Sequence, residues 1–283
     1  MTLREALTRA THQLDASPHL RADAQRDAVL LLLHLLKIPR ATLYAEPDWL
    51  LTPDQQAAYE SLILRRLKNE PIQYITGEQE FYGLALHVTP AVLIPRPETE
   101  HLVEAVLAQL DRTASLHILD VGTGSGAIAI ALAHHLPNAR ITALEISPAA
   151  LEIATANAAR HQLTGRIRFV ESNLLAALQP CNAAFDAIVS NPPYVSIADR
   201  DSLHPQVRDF EPETALFTGR GGLNIYRRLI PQAYSALKQN GLLALEIGQG
   251  QRDALTALLA DWNEARFVDD LQHIPRVAMA RKP

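Results

Sequence analysis

The spacing of apolar positions changes twice along the chain, and each change marks a different kind of element. Leu3, Leu7 and Ala10 recur at helical spacing, as do Ala28, Leu31, Leu32, Leu35 and Leu36, with Pro39 closing that run. Pro53, preceded by Thr52 as a cap, opens another helix whose Ala57, Leu62, Ile63 and Leu67 are expected to face inward. That is too much apolar surface for isolated helices, so residues 1–70 are expected to pack as a small bundle. Residues 71–96 differ. After Phe81-Tyr82-Gly83, Leu84, Leu86 and Val88 alternate, with Gly77 and Gly83 as turn points, which predicts a β-hairpin linker. Pro95 and Pro97 end it, and a helix resumes over 98–110.

From position 116 strand and helix patterns alternate. Strands are expected over 116–121, 140–146, 167–171, 185–190, 242–247, 266–270 and 276–280. Helices are expected over 126–135, 148–161, 223–239 and 251–262. This rhythm implies an α/β domain over 97–283 with a mostly parallel seven-stranded sheet covered on both faces. Only residues 271–275 join the last two strands, too few for a parallel crossover, so this pair should be antiparallel. Ligands in such sheets sit at the carboxyl ends of the strands. No internal repeat or low-complexity tract interrupts the pattern.

Composition narrows the class. The chain has 283 residues, 48% hydrophobic and 20% charged, as one or two globular domains would. No apolar run is long enough to span a bilayer. The first ten residues carry Arg4, Glu5 and Arg9 and lack the apolar centre of a secretion signal, and Cys181 is the sole cysteine. A cytoplasmic protein is therefore expected, with Cys181 and Trp262 as packing residues. The net charge is −5, and residues 1–70 balance nine basic against nine acidic side chains. Nucleic-acid enzymes usually carry a basic stripe, so a small-molecule or protein substrate is favoured. The 11 histidines form no spaced ligand set with cysteines or acids, and no metal site is expected.

Two constellations carry chemistry. Asp120-Val121-Gly122-Thr123-Gly124-Ser125-Gly126 follows a strand and precedes a helix. Glycines there let the chain turn sharply and let a ligand approach the backbone, while free N–H groups at the helix start favour a carboxylate or phosphate. No Gly-Lys-Ser/Thr follows, so this is not a P-loop, but Gly122, Gly124 and Ala127 satisfy the loose dinucleotide pattern. Glu145 ends the second strand, where an acid can accept both ribose hydroxyls of an adenosine. The pair fits a nicotinamide cofactor and S-adenosylmethionine equally well.

The second constellation, Asn191-Pro192-Pro193-Tyr194, follows the fourth strand. Two prolines hold the loop rigid. The Asn191 side-chain oxygen and the Pro192 carbonyl can both accept from one NH₂ group, and the Tyr194 ring offers a plane for stacking. A dehydrogenase has no use for this set.

Asn191–Tyr194 resembles the motif of methyltransferases that modify planar NH₂ groups on adenine, cytosine or glutamine. Residues 93–100, Leu-Ile-Pro-Arg-Pro-Glu-Thr-Glu, resemble the signature of the release factor glutamine methyltransferases. So do residues 70–77 followed by Phe81-Tyr82-Gly83, and Glu211-Pro212, Ala215-Leu216 and Gly221-Gly222-Leu223. The likeness covers nearly the whole chain. It implies a Rossmann-like methyltransferase domain with one antiparallel sheet edge, preceded by the hairpin linker and a helical bundle that recognises the substrate. Implied too are S-adenosylmethionine as methyl donor and the glutamine of the Gly-Gly-Gln motif in peptide chain release factors as acceptor. By position, Gly122, Thr123, Gly124, Ser125 and Gly126 would hold the methionine end, Glu145 the ribose, and Asn173 and Leu174 the adenine. Asn191, with Pro192, Pro193 and Tyr194, would bind the glutamine amide beside the cofactor.

Members of the family often have Asp where Glu145 stands and an acid where Asn173 stands. An Asn oxygen still accepts from an amino group but gives up a charge-assisted bond. Arg96, Glu98, Thr99 and Glu100 read either as a proline-started helix with acids in its first turn or as a loop closing over the site. Residues 210–223 read either as a glycine-rich crossover or as a wall for the incoming protein. Relatives that methylate a ribosomal protein share Asn-Pro-Pro-Tyr but show Arg-Ser-Pro near positions 95–100, so the sequence sides with release factors. An adenine-N6 methyltransferase of DNA or RNA remains the more distant alternative, and it lacks the expected basic surface.

Overall fold

The computed structural model describes residues 1–178 and 183–283, so Cys181 lies outside the described residues. The chain forms two compact units, Met1–Glu78 with Ser202–Phe210, and Gln79–Asp201 with Glu211–Pro283.

The first unit holds α1 (Leu3–Asp15), α2 (Ala24–Leu36), α3 (Arg40–Ala45), α4 (Pro53–Leu67) and α5 (Ile72–Thr76). Capping boxes start α1, through Thr2 and Glu5, and α4, through Thr52 and Gln55, with Pro53 at the first helical position of α4. Leu3, Ala10, Leu31, Leu32 and Ile63 lie in the core of this unit. The inward face of α4 differs from the expected one. Ala57 is exposed, and the buried stripe is Tyr59, Ile63 and Arg66. Polar partners on α2 draw that stripe inward, since Tyr59 Oη donates to Ala28 O at 2.7 Å and Arg66 Nε to Asp27 Oδ2 at 2.7 Å. Residues 72–76 are helical instead of part of a hairpin. Ile72, Tyr74 and Ile75 bury themselves in one turn, and Gly77, at φ 78°, ends it. The Ser202–Phe210 segment joins this unit through its helical turn Pro205–Arg208, where Gln206 Oε1 accepts from Arg66 Nη2 at 3.2 Å.

The second unit opens on the hairpin β1 (Glu78–Phe81) and β2 (Leu84–His87). Its turn residues Tyr82 and Gly83 have φ values of 51° and 78°, the mirror-image turn that matches strand twist. Next come α6 (Pro97–Leu107), β3 (His117–Val121), α7 (Ala127–His135), β4 (Arg140–Glu145), α8 (Pro148–Arg160), β5 (Ile167–Glu171) and β6 (Phe185–Ser190). After two short helical turns follow α9 (Asn224–Ala236), β7 (Leu237–Glu246), α10 (Arg252–Leu258), β8 (Asn263–Asp269) and β9 (Pro275–Arg281). The sheet order is β5-β4-β3-β6-β7-β9-β8. The first five strands are parallel, and β9 runs antiparallel to both β7 and β8. Side-chain alternation feeds two cores. Ile118, Ala187, Val189 and Leu242 pack with α6 and α7, whereas Leu119, Ile188, Leu243 and Leu245 pack with α9. Both faces are therefore covered, and the free ends of β3, β4, β6 and β7 meet along one rim of the sheet.

Candidate active site

Four strand ends place the polar groups. At the end of β3 the loop 122–126 passes through three left-handed glycines, Gly122 (φ 75°), Gly124 (φ 54°) and Gly126 (φ 85°). A Cβ at Gly122 or Gly124 would point into open space. At Gly126 it would meet Ile130 Cδ1 at 3.0 Å and Ala154 Cβ at 3.3 Å, so this glycine serves helix packing. The loop N–H groups are less free than expected. Gly122 N and Thr123 N donate to Leu144 O at 2.8 and 3.0 Å, Gly126 N donates to Thr123 O at 2.9 Å, and Gly124 N donates to Glu145 Oε2 at 3.0 Å. These bonds tie the glycine loop to the end of β4. Asn157 of α8 supports it from below, donating to Ser125 O at 2.9 Å while pairing with both His87 N and His87 O.

Asp120 is fully buried beneath the loop. Its Oδ2 accepts from Thr123 Oγ1 at 2.6 Å, and Oδ1 has no partner. Burial pushes its pKa up to about 7, against the pull of the Thr123 hydroxyl. The Thr123 side chain is thus turned toward Asp120.

A cavity of about 320 Å³ lies above these strand ends. Gly122, Gly124, Glu145, Asn173 and Leu174 line it, together with Ser190, Pro192 and Pro193 from the proline loop. Thr123, Ser125, Gly126, Asn191 and Tyr194 are not in its wall. Residues 91–93, Ile225 and Arg228 on α9 also line it, as do Pro212, Thr214, Ala215 and Phe217 of the segment read as a crossover or a wall. Glu145 presents a carboxylate whose Oε1 accepts from Ile146 N (2.8 Å) and Ser147 N (3.1 Å) and whose Oε2 accepts from Gly124 N. Asn173 Oδ1 accepts from Arg228 Nη2 at 2.8 Å. Arg96 pairs with the buried carboxylate of Glu211, which also accepts from Ile94 N at 3.3 Å. Two flanks of the cavity are joined there, and burial raises the Glu211 pKa against the attraction of Arg96. The helix reading of 96–100 is realised, since α6 starts at Pro97 with Glu98 and Glu100 in its first turn.

The proline loop is held from behind. Asn191 Nδ2 donates to Thr99 Oγ1 at 3.1 Å. Tyr194 Oη donates to Oε1 of Glu246, at the end of β7, at 3.4 Å. Glu246 is fully buried, its Oε2 has no partner, and burial raises its pKa to about 7. Burial likewise pushes the Tyr194 phenol well above its ordinary value, with Glu246 adding to the shift. Sequence reading passed over Glu246, although an acid ending an otherwise apolar strand is the same signal that marked Glu145.

The donor set suits a molecule with an adenosine and an amino-acid end: an acid at the β4 end, open space over two glycines, and an apolar slot at Leu174. Residues 5–77 match the model of the PrmC N-terminal domain, and residues 99–205 that of the methyltransferase small domain. A release factor glutamine methyltransferase of Koribacter versatilis is 48% identical, with 100% of this chain and 99% of that protein aligned. The protein of the same name from Deinococcus radiodurans is 39% identical, over 100% of this chain and 99% of its own. Among solved structures, a methyltransferase from Pyrococcus furiosus superposes with a TM-score of 0.50 at 18% identity, covering 79% of this chain and 97% of that one. This last likeness speaks to the fold.

Proposed function

Because the chain belongs to the release factor glutamine methyltransferases, we propose that it methylates the side-chain amide nitrogen of the glutamine in the Gly-Gly-Gln motif of a cytoplasmic peptide chain release factor, with S-adenosylmethionine as donor. The observation that carries this reading is the polarity of Asn191. Its Nδ2 is spent on Thr99, which leaves Oδ1 as an acceptor for an NH₂ group beside Pro192, a residue of the cavity wall.

When bound, S-adenosylmethionine supplies a methyl group on a positively charged sulfur, a strong electrophile. Gly122 and Gly124 would approach its methionine end, Leu174 its adenine, and Glu145 its ribose hydroxyls. Three N–H groups already occupy Glu145. A carboxylate offers roughly four lone-pair positions, so two ribose bonds require it to release one backbone donor, and Gly124 N, the donor from the glycine loop, is the natural one. Asn173 keeps a second lone pair for an adenine amino group while Arg228 holds its orientation.

An amide nitrogen is a weak nucleophile because its lone pair is delocalised into the carbonyl, so the protein's contribution is geometry. Asn191 Oδ1 and the Pro192 carbonyl accept the two amide hydrogens, draw the nitrogen toward the pyramidal shape of the transition state and aim its lone pair. The rigid loop sets this arrangement before substrate arrives, which removes much of the entropic barrier. The proton leaves after transfer, when the nitrogen is acidic, and no general base is assigned. Tyr194 packs its ring against the amide plane.

The reading is tested by incubating the protein with radiolabelled S-adenosylmethionine and, separately, a release factor, ribosomal protein, duplex DNA and tRNA. Label is expected in the release factor alone and is expected to disappear when its motif glutamine is replaced. Label confined to ribosomal protein or nucleic acid would contradict it.

A further inference from the structure

The segment that follows β7 grips the proline loop. Gln251, the residue before α10, hydrogen-bonds three backbone groups at once. Its Nε2 donates to Tyr194 O at 3.2 Å and to Gly222 O at 3.3 Å, and its Oε1 accepts from Gly248 N at 2.9 Å. Tyr194 lies 57 residues away in the chain and Gly222 lies 29 away. One side chain thus ties together the proline loop, the glycine-rich stretch 221–223 and the end of β7. Neither Gln251 nor Gly248 is in the cavity wall.

The sense of the Gln251 amide follows from its partners. Its NH₂ group carries two hydrogens, one for each carbonyl, and its oxygen takes the Gly248 N–H. A flipped amide would set oxygen against two carbonyls and nitrogen against an N–H. Two glycines make room for this arrangement. A Cβ on Gly222 would lie 2.4 Å from Tyr194 O and 2.6 Å from Gln251 Nε2, and one on Gly248 would lie 2.9 Å from Tyr194 Cδ2. The Cδ2 edge of the Tyr194 ring therefore occupies the space that a side chain on Gly248 would need. The next residue extends the grip. Val195 N donates to Leu216 O at 3.0 Å and Val195 O accepts from Thr218 N at 2.9 Å, which pairs the loop with the stretch that carries the cavity residue Phe217.

Tyr194 is thus held at its carbonyl by Gln251, at its ring edge beside Gly248 and at its hydroxyl by Glu246. A ring that packs on a flat amide must keep both its place and its tilt, because reacting groups tolerate little misplacement. We propose that Gln251 and Gly248 are positioning residues for methyl transfer: Gln251 fixes where the Tyr194 main chain sits, and Gly248 leaves the ring the room that its tilt requires. Both roles rest on Tyr194 packing against the glutamine amide. Since neither residue lines the cavity, losing either slows transfer and leaves cofactor binding in place.

The test uses the full chain as the parent, Q251M, Q251E, G248A and Y194A, with Q251M and G248A each also combined with Y194A. Single-turnover methylation of a release factor by radiolabelled S-adenosylmethionine gives the maximal rate and the half-saturating release factor concentration. Calorimetry gives the affinity for S-adenosylhomocysteine. Q251M keeps the length of the side chain and removes its amide. It is expected to lower the maximal rate about 10-fold or more, with half-saturation and S-adenosylhomocysteine affinity within about three-fold of the parent. Q251E still accepts from Gly248 N but sets a carboxylate oxygen against two carbonyls, and it is expected to lose more than Q251M. G248A presses a methyl group on the ring without a left-handed φ to strain it, and a loss of about 10-fold is expected. Without the Tyr194 ring there is nothing to set, so in the Y194A background Q251M and G248A are each expected to cost less than about three-fold further.

Coupled losses with S-adenosylhomocysteine binding retained support the two roles. Additive losses, with Q251M and G248A as damaging without the ring as with it, would overturn them, because a general prop acts whether or not the ring is there. Parent-like rates in Q251M or Q251E would overturn them as well. So would a loss of S-adenosylhomocysteine binding in Q251M or G248A, which would place the damage in the α/β unit at large. A parent that labels no release factor overturns the functional reading itself. Variants as fast as a parent that does label it overturn the positioning roles alone.

Discussion

At the scale of single residues, two carboxyls of the site sit in opposite surroundings. Glu145, half-buried at the rim, accepts from three backbone N–H groups, whereas Asp120 is fully buried with one oxygen lacking any partner. The Asp120 pKa is raised from 3.8 to about 7. The folded protein therefore holds this proton where the unfolded chain has released it. Its favourable contribution is complete below the ordinary carboxylate range and is lost as pH rises through 7. Glu246 carries a shift of the same sign. The melting temperature of the parent is accordingly expected to fall between pH 6 and pH 8, and Asp120→Asn to fall less over the same interval. Equal slopes in the two proteins, followed by calorimetry, would show that Asp120 does not carry the shift.

The same scale shows what could be read from sequence. Gly122, Gly124, Glu145, Pro192 and Pro193 were legible because each announces itself locally, through a backbone freedom, a backbone restriction or a charge at a strand end. Glu246 was not, and Thr99 was read only as part of a helix start or of a loop closing over the site. Thr99 lies 92 residues from Asn191, and Tyr194 lies 52 from Glu246. Nothing in either local pattern specifies a partner that only the folded sheet brings near.

Among elements, the repeating strand–helix pattern predicted the parallel sheet and its antiparallel last pair, and β5 and β6 coincide with the expected ranges. Differences concentrate where tertiary bonds override periodicity. The strand at 242–247 begins five residues earlier, at Leu237, after a register shift between Phe185 and Ala187 of its neighbour. Residues 72–76 coil into a helix because one turn buries three apolar side chains and Gly77 supplies the left-handed stop. Asn157 is the least foreseeable link, an asparagine inside a helix joining α8 to the hairpin and the glycine loop. Asn157→Ala removes bonds to His87 N, His87 O and Ser125 O and is expected to destabilise the α/β unit by about 3 kcal/mol or more. The two tryptophans, Trp49 and Trp262, fall one in each unit. Urea unfolding followed by Trp262 in a Trp49→Phe background reads this unit, and a loss below about 1 kcal/mol would show that water replaces the asparagine.

Considered as a whole, the molecule builds its two units around different polar groups. The helical unit is built around a buried ion pair, Arg66 with Asp27, and Arg66 also reaches Glu70 O and Gln206. That hub recruits Ser202–Phe210, a stretch that follows the proline loop by only a few residues, into the helical unit. The periodicity of the first 70 residues revealed the bundle, but not a segment inserted from 140 residues away. In the α/β unit, the proposed chemistry centres on Asn191, whose side-chain nitrogen is engaged by Thr99. Membership of the release factor glutamine methyltransferases sets the substrate against which that arrangement is judged.

Single-turnover methylation of a release factor by Asn191→Ala, with S-adenosylhomocysteine affinity measured alongside, tests this most directly. The rate is expected to fall about 10²–10³-fold while S-adenosylhomocysteine binds as in the parent. A loss of only a few-fold, with label still on the motif glutamine, would mean that the amide is held by other groups.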